Sequence, residues 1–81
     1  MPTILREGRY RFFFFSNEGF EPRHVHVEIG DGYAKFWLEP IELALSVGCN
    51  AGELHEIRRI VITNAKFFKE KWDAYFGIKN D

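Results

Sequence analysis

His24-Val25-His26-Val27-Glu28-Ile29-Gly30-Asp31-Gly32-Tyr33-Ala34-Lys35-Phe36-Trp37-Leu38 is the stretch that decides how this chain folds. Apolar residues recur at every second position on both sides of the Gly-Asp-Gly centre. That is the period of a half-buried strand, so the segment reads as two strands joined by a tight turn. Asp31-Gly32 is a two-residue turn signal of the type I′ kind. It sets Gly30 opposite Tyr33, and then Ile29 faces Ala34, Val27 faces Phe36 and Val25 faces Leu38 on one apolar side. On the other side Glu28 faces Lys35 as a charge pair and His26 faces Trp37. Strands are expected over residues 24–29 and 34–38.

Toward the N-terminus, residues 3–6 and 10–15 are β-rich runs separated by Glu7-Gly8-Arg9, which reads as a hairpin. Turning at Glu7-Gly8 sets Arg6 against Arg9, and turning at Gly8-Arg9 sets it against Arg11; both oppose like charges. Phe12 to Phe15 place aromatic rings on both faces of the second strand, which is therefore expected to be central and covered on both sides. Ser16 to Arg23 reads as a loop broken by Asn17, Gly19 and Pro22, with Phe20 either tucked back or exposed.

Toward the C-terminus, Ile41, Leu43, Leu45 and Val47 alternate with Glu42, Ala44 and Ser46, which predicts a fifth strand over 41–47. Asn50 with Glu53 resembles a capping box. The stripe Leu54, Ile57, Val61, Ala65, Phe68, Trp72 and Tyr75 then predicts one helix over 51–76, stopped by Gly77. Ile60-Val61-Ile62-Thr63 is a poor intrinsic helix former that depends on tertiary packing. About 26 residues at ~1.5 Å each would span about 39 Å, longer than a small globule needs. Phe67, Phe76 and Ile60, off the main stripe, are therefore expected to suit a partner surface such as a homodimer, or else to pack under the Ser16–Arg23 loop.

The expected fold is α+β: a single domain over 1–81, with a five-stranded, mostly antiparallel sheet and one long C-terminal helix packed on the Val25/Val27/Phe36 side. At 81 residues the core is small, and nine Phe, three Tyr and two Trp supply its bulk. Cys49 is the sole cysteine, so no internal disulfide forms and a reducing cytoplasm is the expected compartment. A net charge of −1 argues against a strongly electrostatic nucleic-acid binder, although Arg6, Arg9 and Arg11, and Arg58 with Arg59, form local clusters. No signal peptide or membrane span is expected.

The chemistry-bearing face carries His24, His26 and Glu28. Two imidazoles with a nearby carboxylate suit a transition metal, with Glu28, or Glu18 or Glu21 from the preceding loop, as third ligand. The expected Glu28–Lys35 pair occupies one of those ligands and His55 lies far off in sequence, so no metal and no cofactor are expected. A metal-independent ribonuclease would use His24 and His26 as general acid and base and Arg23 or Lys35 as the cation, with Trp37 or Tyr33 stacking a base. As a binding face, Arg23, His24, His26, Glu28, Tyr33, Lys35 and Trp37 make a polar patch rimmed by aromatics, a composition suited to protein interfaces. The residues do not decide between enzyme and binder.

Several motifs together carry a resemblance. They are Met1-Pro2-Thr3-Ile4-Leu5-Arg6, Tyr10-Arg11-Phe12-Phe13-Phe14-Phe15-Ser16-Asn17-Glu18-Gly19, Glu21-Pro22, His24-Val25-His26-Val27, Ala34-Lys35-Phe36-Trp37-Leu38, and Trp72 before Tyr75-Phe76-Gly77. In that order they resemble the small bacterial family known as domain of unknown function 4160. The resemblance implies a bacterial, cytoplasmic protein with a protein partner encoded nearby, one member of a compact toxin–antitoxin-like pair. It supplies no catalytic residues. The expected function is accordingly a small interaction protein of such a module, with the His24/His26 ribonuclease as the alternative, RNA and a second copy of the chain as further candidate partners, and no membrane.

Overall fold

The computed structural model describes residues 3–77. Five strands, β1 (Thr3–Glu7), β2 (Tyr10–Phe13), β3 (His24–Ile29), β4 (Gly32–Leu38) and β5 (Ile41–Val47), precede two helices, α1 (Ala51–Thr63) and α2 (Ala65–Phe76). The strands pair antiparallel in chain order, β1-β2-β3-β4-β5. This is the α+β architecture that the period-two runs predict. No helix among the described residues is long and apolar enough to cross a membrane.

The single long helix requires correction. Asn64 sits at φ −109° and ψ 17°, outside the helical region, and divides the helical stretch in two. Its side-chain amide donates to the Ile60 carbonyl at 2.9 Å, so the side chain takes a carbonyl that the helix uses for its own ladder. The break falls directly after the β-branched run Ile60–Thr63, where helix propensity is weakest. The backbone ladder bridges the break through Asn64 N–H to the Ile60 carbonyl and Phe68 N–H to the Asn64 carbonyl, and α2 packs on the core through Phe68 and Trp72. Ile60 is buried, and Phe67 and Phe76 pack against the core; none of the three overhangs. Phe76 does lie under the Ser16–Arg23 loop, against Gly19.

The helices cover the Val25/Val27/Ala34/Phe36/Leu38 side of the sheet with Ile57, Ile60, Val61, Phe68 and Trp72. The Phe run divides between the two faces as its alternation requires. Phe12 meets Phe68 and Phe14 meets Trp72, each pair with ring centroids 5.3 Å apart, while Phe13 and Phe15 lie beside His26 on the other side. The β2 ladder ends at Phe13 rather than Phe15, although Phe14 remains fully buried.

The central hairpin turns one position earlier than Asp31-Gly32. Ile29 opposes Gly32, Glu28 opposes Tyr33, His26 opposes Lys35 and His24 opposes Trp37. Gly30 takes the positive φ, 55°, and no non-glycine residue among those described has one. That places glycine at the first central position of the turn, the type II′ requirement, whereas type I′ would have needed a positive φ at Asp31 as well. The resulting shift of two residues along the partner strand leaves every side chain on its expected face but changes its neighbour. The first hairpin turns at Gly8-Arg9, so Arg6 opposes Arg11. Arg11 is relieved there by Thr3 Oγ1 at 2.7 Å and by Glu28 at 3.0 Å.

β5 also departs from its simple alternation. Lys35 opposes Leu45 but Phe36 opposes Leu43, so the ladder shifts around Ala44. A bulge of this kind moves the residues beyond it to the other face. Ile41 and Leu43 therefore share the helix side with Leu38 and Phe36, whereas Leu45 and Val47 fall on the histidine side with Lys35 and Tyr33. The fifth strand forms over Ile41–Val47, and Leu43, Leu45 and Val47 are 45%, 49% and 58% exposed.

Candidate functional site

His24 and His26 begin β3, and the strand's period of two puts both rings on the side of the strand away from Val25 and Val27. Their centroids are 4.9 Å apart, edge to face. That face is closed. His24 is 0% exposed and His26 1%, because the Ser16–Arg23 loop folds over them. Phe13 and Phe15 flank His26, and Trp37 and Trp72 flank His24. The loop is fastened at its far end by Arg23, which donates Nε and Nη2 to the two carboxylate oxygens of Asp73 in α2, both at 2.8 Å.

The loop delivers Glu18 to the two rings. A single oxygen, Oε1, lies 2.8 Å from His24 Nε2 and 2.6 Å from His26 Nε2. The other nitrogens are also engaged: His24 Nδ1 is 2.8 Å from the Pro22 carbonyl, and His26 Nδ1 is 2.6 Å from the Tyr33 hydroxyl. A carbonyl only accepts, so His24 Nδ1 carries a proton. Its Nε2 faces the Glu18 carboxylate. His26 serves the same carboxylate as a neutral ring, donating through Nε2 and accepting the Tyr33 hydroxyl proton at Nδ1.

The electrostatics agree. Burial alone would raise Glu18, but hydrogen bonds from His24 and His26 outweigh it and hold the carboxyl below its ordinary range. Burial pushes His26 down, against the opposing pull of Glu18. Burial, reinforced by the charges of Glu18 and Glu21, raises Tyr33 and keeps its phenol protonated.

Of the residues expected on this face, His24 and His26 converge on Glu18, and Tyr33 joins them through His26 Nδ1. Lys35 lies alongside, its Nζ 2.9 Å from Glu21 and 4.4 Å from the centre of the Trp37 ring. Glu28 is not part of the cluster. The expected Glu28–Lys35 pair does not form, because the register places Lys35 opposite His26 and gives Glu28 to Arg11 at 3.0 Å. His26 likewise opposes Lys35, and it is His24 that opposes Trp37. Arg23 is committed to Asp73, with Glu39 a further 3.6 Å contact. Glu18, the centre of the arrangement, figured in the sequence only as one of three alternative carboxylates. Its signal was an acidic residue in the short loop leading into His-x-His. Cys49 is only part-buried, its Sγ 3.5 Å from the Tyr33 carbonyl, away from the imidazoles' hydrogen bonds.

A family model described as domain of unknown function (DUF4160) matches residues 10–73. That span runs from the start of β2 to the Asp73 that anchors the loop, and so includes every residue of the Glu18 cluster. Comparison with curated proteins gives no match, and comparison with solved structures gives none.

Proposed function

We propose, for a chain that belongs to the DUF4160 family, a protein-binding role: it is the interaction component of a bacterial, cytoplasmic, toxin–antitoxin-like pair, and it takes its partner along β5. The observation that carries this reading is the state of that strand. β5 is the last of the sheet, pairs only with β4 among the described residues, and leaves Leu43, Leu45 and Val47 exposed. An unpaired edge is a template for a further strand, and proteins ordinarily blunt it with charge or proline. The opposite edge, β1, is short and carries Arg6 and Glu7, whereas β5 runs seven residues with Glu42 as its one charge. A partner strand would gain backbone hydrogen bonds along β5 and apolar contacts from both of its faces.

Co-expression with the product of the neighbouring gene tests the role. A stoichiometric complex that Leu45→Lys with Val47→Lys disrupts supports it. Failure of the wild-type chain to co-purify, or a complex indifferent to those changes, removes the support. A chain that instead self-associates through the same edge identifies a second copy as the occupant.

The ribonuclease alternative draws less from the geometry. Both imidazoles are buried and both Nε2 atoms are engaged by Glu18, so neither ring presents a free nitrogen to a phosphodiester. RNA cleavage by the wild-type chain, lost in a folded His24→Ala, His26→Ala variant, would reverse this preference.

A further inference from the structure

We infer that Glu18, His24 and His26 form a binding site for one divalent first-row transition-metal ion, taken through both Nε2 atoms and the Glu18 carboxylate. Donor atoms of the three residues lie within 4.8 Å of one another. Two imidazoles and a carboxylate are a donor set that such ions accept, with the remaining position left for water.

The arrangement behind the ligands is what separates this cluster from an ordinary pair of buried histidines. Metal-binding imidazoles usually hold an acceptor on the nitrogen away from the ion, which fixes the tautomer. Here the Pro22 carbonyl fills that place on His24 and the Tyr33 hydroxyl can fill it on His26. Both Nε2 atoms are then left to point at one spot, now held by Glu18 Oε1.

The fit requires Glu18 to move. Metal–ligand bonds of roughly 2.0–2.2 Å with tetrahedral angles separate ligand atoms by about 3.4 Å. The N···O separations are 2.6 and 2.8 Å. Glu18 must therefore withdraw by roughly 0.6–0.8 Å. It belongs to the loop and keeps 21% of its side chain exposed, while the rings are locked into β3. The nearby positive charge of Lys35 opposes an ion, but Glu21 holds it at 2.9 Å.

Proton bookkeeping follows from the hydrogen bonds. On binding, His24 keeps its proton at Nδ1 on the Pro22 carbonyl, His26 moves its proton from Nε2 to Nδ1, and Tyr33 turns from donor to acceptor.

Zn²⁺ and Co²⁺ titrated into the full chain, purified without a histidine tag and stripped with chelator, test the site. A competing chromophoric chelator reads affinity. One ion per chain is expected, with visible Co²⁺ bands. Glu18→Gln should bind at least tenfold more weakly, and Tyr33→Phe, which alters only the support behind His26, about tenfold more weakly. Glu18→Gln retains an oxygen acceptor for the two rings, so the comparison does not depend on removing a buried histidine. Wild-type affinity no better than that of Glu18→Gln, or a folded protein that takes up less than one ion, would leave Glu18 as a hydrogen-bonded clamp and overturn the site.

Discussion

Arg23 and Asp73 are fifty positions apart in the chain and meet as a two-point pair, Nε and Nη2 each 2.8 Å from a carboxylate oxygen. The pair joins the last residue before β3 to α2, so the loop over the histidines is secured to the helical layer. Both side chains are largely withdrawn from solvent, and planar guanidinium–carboxylate geometry is stronger than a single contact. Arg23→Ala should lower stability by about 1–2 kcal/mol in urea denaturation. Arg23→Lys should recover only part of it, because an ammonium cannot donate to both oxygens in the same plane. Full recovery by lysine would mean that charge alone, not the fork, holds the loop.

Acid should weaken the metal-free protein in two stages. His26 is held below its ordinary value of 6.5 by burial, so between that value and its folded value the unfolded chain binds more protons. Its contribution is present above pH 6.5 and is lost as pH falls through the folded value. Glu18, held below its ordinary value of 4.5, contributes stability above that pH and loses it at still lower pH. Stability measured in chelator should therefore decline below about pH 6.5 and again below about pH 4.5. His26→Gln should flatten the first decline and leave the wild-type protein the steeper of the two between about pH 5 and 7. Parallel profiles for the two proteins would exclude His26 as the source.

Most elements and their faces were legible because they rest on local period; the helix break at Asn64 and the bulge in β5 were not. Alternation in Val25/Val27/Ile29 and Ala34/Phe36/Leu38 assigned the core side, Asn50 and Glu53 form the reciprocal cap, and Gly77 adopts the left-handed conformation that ends α2. Register was not legible. Gly30-Asp31-Gly32 admits two turn placements one position apart, which shift the pairing by two residues, and both put every apolar side chain on the same face. Apolar matching therefore cannot choose between them, and the Glu28–Lys35 match favoured the wrong one. The histidine face was legible as a position but not as a site, because Glu18 reaches it through a loop whose path is set by Arg23–Asp73 and Gly19–Phe76. Those contacts are long-range and leave no periodic trace.

The turn itself is testable. Gly30 has φ 55°, and no neighbouring atom lies within 4 Å of the point a β-carbon would occupy, so substitution there meets backbone strain and no clash. Gly30→Ala should cost about 1–2 kcal/mol, while Asp31→Asn, at a position with ordinary φ, should change stability by less than about 0.5 kcal/mol. Thermal or urea unfolding of the two variants decides it. Equal, small effects would favour a turn centred on Asp31-Gly32 instead.

Gly19 carries the closest approach between the loop and α2. A β-carbon there would stand 2.5 Å from Phe76 Cδ1 and 3.0 Å from its Cγ, distances that non-bonded carbons do not tolerate. Either the Phe76 ring turns aside or the loop lifts. The ring is hemmed by Trp72 at 4.3 Å and Tyr75 at 4.8 Å between centroids, so lifting the loop is the easier adjustment. Lifting draws Glu18, one residue away, off the two imidazoles. Gly19→Ala should therefore cost about 1–3 kcal/mol, as overpacking generally does. It should also disturb the His24 and His26 ring signals in NMR, which lie beyond direct contact with the new methyl. Adding Phe76→Ala, which removes the Cγ and Cδ1 that the methyl would meet, should restore those signals even though the smaller side chain packs less well. Histidine signals unchanged in Gly19→Ala would mean that the ring, not the loop, gives way.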